Sequence, residues 1–491
     1  MTRTPTETAE YLRTLPAIRD RCSQVFELAK QDKLQYFEYH PENEVKVTDF
    51  CVNIIHKNYG TDYSKIPPHG RWRHSDAHHP RIAPILAQWT ASASPPDSEE
   101  VAARLIDHFT VSVLLDAGAG PKWVFTEPGS GVQFRRSEGL GVAAVHMWAS
   151  GLFSGDKENK PYQVDATGLA SLTPAALAAA FQVTEDNPLV GLEGRTALLA
   201  RLADALRAAS QFFGPDARPG GLVAYLKTQS TSSNGQTEVP MSALWTALIT
   251  GLQPIWPPGR GELAGVQLGD VWPCPSLGAA GGASGFRSSP PNKSILVFLT
   301  DFASLSLSPY DLNLYDINST QKLGDEPGAS LVPFHKLTGW LAYSLREPLE
   351  RILGWRIKDG DLQTGLPEYR NGGLFLDLGV LRLRSTPLSL SINGATVEAE
   401  PMPHDAATGI PRVLPSHPAI VEWRAMTVVL LDRTLPALRT ALPAPELTLA
   451  QALESATWSG GRAIAQQLRP AKDGQDGGGP PIEIVSDGTV F

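Results

Sequence analysis

A chain of 491 residues with 42% hydrophobic and 19% charged side chains has the composition of a folded globular protein. Its net charge of −9 excludes a nucleic-acid or anionic-membrane surface as the main partner and favours a small polar substrate. Three scattered cysteines, Cys22, Cys51 and Cys274, match no disulfide frame, and no run approaches the roughly 18 apolar residues of a spanning helix, so a reducing, cytoplasmic setting is expected.

Tyr11 and Leu15, followed by Ile18, Cys22, Val25 and Phe26, recur at helical spacing. Pro16 is tolerated only in a first turn, so a short helix followed by a longer one is predicted. Thr173-Pro174 is an N-cap with proline at the first helical position, and Leu198, Leu199, Leu202 and Leu206 stripe a second helix, together a helical hairpin. Phe334, Leu337, Leu341 and Leu345 define a further helix with Pro348 near its end. Ser416-His417-Pro418 opens one that is apolar nearly all round through Leu431. Strands are few: Leu388 to Ile392 and Ala395 to Ala399 alternate about Asn393-Gly394, the pattern of a β-hairpin. The composition of 278–330 turns to Gly, Ser, Pro and Asn, which marks an inserted, disordered segment, and 471–480 is Gly- and Asp-rich like a linker. The expected organisation is an N-terminal helical region (1–160) with a basic loop at 66–81, a helical core (161–277), the insertion, and a C-terminal helical region (331–491). The expected fold class is mainly α with a small β-hairpin.

Charges set among core-like residues mark the candidate site, because lysine and glutamate are almost never fully buried unless paired. Lys336 lies off the leucine line of its helix, on the face of Trp340, Tyr343 and Glu347; a snorkelling lysine is the plain alternative. Glu368, in Leu366-Pro367-Glu368-Tyr369-Arg370, precedes a turn-rich run, with a local pair to Arg370 as its alternative. Glu422 and Arg424, two apart in an apolar helix, must point to different sides, each toward a partner. The run His69-Gly70-Arg71-Trp72-Arg73-His74-Ser75-Asp76-Ala77-His78-His79 admits three uses. Its imidazoles with Asp76 are ordinary zinc ligands, Arg71 and Arg73 with His69 and His74 suit a phosphate, and a structural arm needs neither. The spacing matches no strong metal motif, and no metal is predicted. Gly118-Ala119-Gly120 and Gly139-Leu140-Gly141 complete no dinucleotide or P-loop fingerprint, and there is no Gly-x-Ser-x-Gly elbow, so no cofactor is expected.

Several stretches carry a family likeness: Ile66 to His74, Leu268-Gly269-Asp270-Val271-Trp272, Leu331 to Thr338, Leu366 to Leu374, Val421-Glu422-Trp423-Arg424-Ala425 and Ser486 to Phe491. They resemble the fungal and bacterial family of uracil-catabolism proteins, the one encoded by the fourth gene of the fungal ring-opening pathway; 278–330 departs from its pattern. A second resemblance rests on Phe334-His335-Lys336, Pro367-Glu368-Tyr369-Arg370, Leu378-Gly379-Val380-Leu381 and Glu422-Trp423-Arg424, in that order. It is to proteins that salvage queuine by cleaving the N-glycosidic bond of a queuosine nucleotide. That likeness implies a helical fold related to DNA glycosylases, with Glu368 at the position of the family's catalytic aspartate. Where that family has an aromatic cluster gripping the base, this chain has Leu115-Asp116-Ala117-Gly118-Ala119, too small to stack a heterocycle, so queuine is not expected as substrate.

The first resemblance implies a pathway that opens the pyrimidine ring on ribose phosphate and ends at urea, which requires a ribosylurea, phosphorylated, to lose its sugar. The second implies an N-glycosidase. Together they predict Glu368 at the anomeric carbon, stabilising or attacking it or activating water. Lys336 would hold Glu368 ionised, attack C1′ or protonate the leaving urea nitrogen, with electrostatic support the first choice, and Arg424, Arg370, Tyr369, Asp270 and Asp116 would bind substrate. Rivals from other classes are a metal-dependent amidohydrolase cutting the ureido C–N bond through the His69 to His79 run, and a regulatory or scaffold protein in which the charges are ion pairs only.

Overall fold

The computed structural model describes residues 3–120, 122–256, 261–280, 327–392, 395–406, 408–470 and 477–485. The Thr14 hydroxyl accepts a hydrogen bond from the Ala17 amide and starts the Leu15–Lys30 helix, with Pro16 in its first turn and the short Pro5–Leu12 helix before it. Thr173 caps Pro174–Ala180 in the same way, and that helix packs on Leu192–Ala208, as the leucine stripe predicts. His417 caps a helix that opens at Pro418 and runs to Ala441, beyond the expected end at Leu431.

The Pro418–Ala441 helix is the axis of the fold. Its apolar faces pack against Leu15–Lys30, Glu44–Tyr59 and Tyr369–Asp377, while Lys336–Arg351 packs on Ser98–Leu114. One continuous hydrophobic core runs from Leu15 to Ile482 and draws on every region that composition outlines. The chain is mainly helical, and its sheets have two or three strands each. Leu390–Ile392 pairs antiparallel with Ala395–Val397 as the predicted hairpin, whose Asn393-Gly394 turn lies outside the described residues. Val271–Pro273 pairs antiparallel with Leu331–Pro333, which joins the described residues before and after 281–326. Those residues, the bulk of the expected insertion, also lie outside the described ones. Among the described residues no helix is long and apolar enough to cross a membrane.

The helix expected from Phe334 begins two residues later, at Lys336. Asp270 is the reason. Its carbonyl accepts from the Phe334 amide at 2.9 Å, and its carboxylate accepts from the Lys336 amide at 2.9 Å, so a tertiary residue supplies the cap. His335, held between these bonds, takes a left-handed φ of 45°, a conformation that costs a non-glycine residue energy and is retained only where its surroundings impose it. Its ring bonds the Leu12 carbonyl at 2.8 Å.

The same Asp270 carboxylate takes both guanidinium arms of Arg424, at 2.9 and 2.8 Å, and the Trp272 indole N–H at 2.6 Å. Burial alone would raise its pKa, but Arg424 and these donors hold it well below the usual carboxylate range. Both partners are buried, so Asp270→Asn leaves an uncompensated guanidinium inside the fold. We expect a loss of about 3–5 kcal/mol in urea denaturation.

Candidate functional site

Lys336 and Glu368 share one cavity of about 420 Å³, inside the ordinary range for small-molecule sites. The start of the Lys336–Arg351 helix forms one wall, with Trp340 one turn beyond Lys336. Glu368 and Tyr369 open the neighbouring wall, where Pro367 leaves the chain extended and Glu368 becomes the N-cap of Tyr369–Asp377. The Asp116–Gly120 turn, the first residues of Arg136–Ala149 and the segment Gly478–Pro480 close the remaining sides.

The Glu368 carboxylate is fixed by its own helix. It accepts from the Arg370 amide at 2.9 Å through Oε2 and from the Asn371 amide at 2.6 Å through Oε1. Each oxygen keeps a second lone pair. Asn371 is itself locked, donating to the Leu366 carbonyl at 3.0 Å and accepting from the Thr457 hydroxyl at 2.8 Å. Burial raises the Glu368 pKa, while the two amides and the charges of Lys336 and Arg370 pull it back. Burial lowers the Lys336 pKa, and Glu368 first, then Asp116, oppose that. The ammonium therefore lies in the field of both carboxylates, and among the described residues none of its side-chain neighbours is within hydrogen-bonding distance. Asp116 pairs through Oδ2 with Arg71 at 2.9 Å, while its buried Oδ1 has no partner among the described residues.

The basic run places its residues differently from the open loop expected of it. Arg71–Ser75 is a helical turn packed into the core, and Arg71 is 0% exposed, with its Nε on the Ser112 hydroxyl at 3.0 Å. Arg71 does not line the cavity; it holds Asp116, which does. Arg73 is likewise off the cavity, ion-paired to Glu454 and, at 3.6 Å, to Glu138, with its guanidinium over the Trp458 ring. His69 and His74 do reach the cavity. His74 bonds the Gly70 carbonyl at 3.1 Å and is kept neutral by burial and by the charges of Arg73 and Arg71. His69 turns Nδ1 to Glu454 at 2.7 Å. Among the described residues no group of three His, Cys, Asp or Glu side chains gathers as a metal site.

Of the other predicted residues, Tyr369 and Arg370 line the cavity, and Asp270 and Arg424 stand behind it, committed to each other. Glu422 and Arg424 point apart as their spacing requires. Glu422 accepts from the Gln35 and Tyr36 amides at 2.7 and 2.9 Å and from the Ser276 hydroxyl, and burial pushes it up to about 7.

Several lining residues escaped the sequence reading. Trp458 comes from the wide helical turn Leu453–Trp458, whose sequence carries no special pattern; Glu454, in the same turn, does not line the cavity but holds His69, which does. Trp340, Trp458 and Tyr369 supply aromatic faces that the small Asp116–Gly120 turn lacks. Arg135, Arg136 and Arg462 add cations to the rim. For the first two a signal was present, since arginines at a helix start oppose the helix dipole and are favoured there by an anion. The Gly-rich stretch read as a linker is, over 478–480, part of the wall, and arginines hold it there: Arg136 donates to the Gly477 carbonyl at 3.2 Å, Arg370 to Gly478 at 2.7 Å and Arg469 to Gly479 at 2.7 Å. Residues 471–476 and the Ser486–Phe491 stretch lie outside the described residues.

The family described as "Protein of unknown function (DUF1688)" matches residues 11–491, and the chain belongs to it. A Lachancea kluyveri protein named Uracil catabolism protein 4 is 38% identical over 493 residues, 98% of each chain. A Schizosaccharomyces pombe protein named Protein urg3 is 38% identical over 491 residues, 99% of this chain and 100% of its own. The stretches that carry the resemblance to uracil-catabolism proteins therefore belong to a likeness along nearly the full length.

Glu347, on the Lys336 face of its helix, lies under the basic run. A side chain at Gly70 would begin 2.1 Å from its Oε1, an atom with no hydrogen-bond partner among the described residues. Burial pushes this carboxyl from 4.5 up to about 8, against the pull of Arg351. The folded protein thus holds a proton that the unfolded chain has released, and stability falls as pH rises from about 4.5 through about 8. In chemical denaturation Glu347→Gln should flatten that slope and exceed the parent above pH 8, by at most about 5 kcal/mol at 1.36 kcal/mol per pKa unit.

Proposed function

We propose that this member of the family takes part in uracil breakdown, as the name of one relative says of that relative, and that it is an N-glycosidase hydrolysing a ribosylurea 5′-phosphate to urea and ribose 5-phosphate. The observation that carries this reading is the Glu368 carboxylate, fixed by two backbone amides on the wall of a small cavity and within the field of the Lys336 ammonium. Breaking the C1′–N bond builds oxocarbenium character, which a carboxylate at the anomeric carbon stabilises while it orients and deprotonates the attacking water. Burial raises the Glu368 pKa, which makes it a stronger base, and the Arg370 and Asn371 amides and then the charge of Lys336 oppose that rise in favour of the carboxylate. Asp116 Oδ1 is placed to accept from a ribose hydroxyl or a urea N–H. Arg370, with the rim cations Arg135, Arg136 and Arg462, suits the phosphate. A DNA-glycosylase-like arrangement of the helices belongs to the same reading.

Incubation with ribosylurea, its 5′-phosphate and common nucleotides, followed by detection of urea, free base or ribose phosphate, tests this directly; no product from any of them would refute it. Glu368→Gln should retain the far-UV circular dichroism of the parent and lower kcat by about 10³-fold or more. The acidic limb of kcat/KM should lie above pH 4.5, because the base must be ionised and its pKa is raised. Lys336→Gln removes the charge that lowers that pKa, so the limb should move to still higher pH. A limb that moves down, or stays in place, would exclude electrostatic support by Lys336.

A further inference from the structure

A urea nitrogen leaves poorly as an anion, and Glu368 with Lys336 accounts for the anomeric carbon rather than for the departing atom. Two histidines border the same cavity. His74 has both ring nitrogens engaged, Nδ1 with the Gly70 carbonyl at 3.1 Å and Nε2 with Arg73 at 3.4 Å. His69 differs. Its Nδ1 is engaged by the Glu454 carboxylate at 2.7 Å, Glu454 does not line the cavity, and among the described residues Nε2 makes no hydrogen bond. Glu454 is buried, yet Arg73 and His69 hold its pKa below the ordinary value, which keeps it a carboxylate. The His69 ring packs on Trp340, centroid to centroid 4.6 Å, and Trp340 lies one helical turn from Lys336. A carboxylate behind one nitrogen fixes the ring and offsets the charge of the imidazolium.

From this geometry we infer that His69, positioned by Glu454, is the general acid that protonates the leaving nitrogen. The inference rests on the N-glycosidase reading. As the C1′–N bond breaks, its electron pair goes to nitrogen, which takes the Nε2 proton of the His69 imidazolium and departs as neutral urea. Water forms the new C1′–O bond and gives a proton to Glu368. Transfer of that proton to solvent and uptake of one by His69 restore the starting state, so the sum is ribosylurea phosphate plus water to urea plus ribose phosphate. Lys336 is left to its electrostatic task.

Comparison of two leaving groups tests this: ribosylurea 5′-phosphate, which requires protonation, and 4-nitrophenyl ribofuranoside 5-phosphate, whose phenolate departs without it. His69→Gln should lose about 10²–10⁴-fold in kcat on the first and stay within about 3-fold of the parent on the second, the latter also reporting that the site is intact. Glu454→Gln, acting through His69, should show the same selectivity with a smaller loss, on the order of 10-fold. Equal losses on both substrates, or none on either, would remove His69 as the acid. The same selectivity in Lys336→Gln with none in His69→Gln would assign the proton to Lys336. Parent protein that cleaves neither substrate would instead overturn the N-glycosidase reading itself.

Discussion

The geometry of the cavity depends on one buried ion pair, Asp270 with Arg424. Arg424 projects from a helix whose faces are apolar, and its fork fills both oxygens of Asp270 while Nε reaches the Pro367 carbonyl at 3.4 Å. Asp270 in turn caps the helix that begins at Lys336, and Pro367 is the residue before Glu368. One guanidinium thus sets the starting points of the two helices that carry the two central charges. A buried pair of this kind adds little net stability compared with well-packed apolar residues, because desolvating both ions costs nearly as much as their attraction returns. Its value here is geometric: a bidentate fork tolerates one orientation, and so does the amide that shares its carboxylate.

Close packing completes what the pair begins. A side chain at Gly461 would start 2.0 Å from the Arg370 carbonyl, so glycine there lets the Ser459–Leu468 helix press against the first turn after Glu368. The Trp423 indole donates to the Gly372 carbonyl at 3.0 Å from the other side. The Tyr369–Asp377 helix is therefore clamped between two neighbours, and the carboxylate at its cap inherits that rigidity. Pre-set orientation of this sort is what allows a charged group to act at a reacting atom without reorganising.

How much of this is legible in the sequence follows the range of the interactions. Thr14-Leu15-Pro16, Thr173-Pro174 and His417-Pro418 are local instructions, and each helix starts where they say. Lys336 and Glu368 stand out because their neighbours read as core, and the anomaly is real: both line the cavity. The start at Lys336 rather than Phe334 was not legible, since the cap comes from Asp270, remote in sequence. For Arg71 the choice between a phosphate ligand and a structural arm was open for a related reason. A guanidinium between two glycine- and histidine-rich turns looks exposed, and only tertiary packing shows it buried against Ser112 and Asp116. Trp458 and the Gly478 to Pro480 wall carry no local signal, because their place is set by Arg136, Arg370 and Arg469 reaching across the fold.

The charges along the cavity differ from those behind it in unspent hydrogen-bonding capacity. Asp270 satisfies both oxygens within the protein, and Glu422 accepts two amides and a hydroxyl; neither lines the cavity. Along the cavity the balance is different. Asp116 Oδ1 is buried with no hydrogen-bond partner among the described residues, each Glu368 oxygen is met by a single backbone amide, and His69 turns Nδ1 to Glu454. Buried polar groups left unmet cost free energy. The cavity therefore brings together groups whose bonding within the fold is incomplete, whereas Asp270 and Glu422 turn theirs to partners behind it.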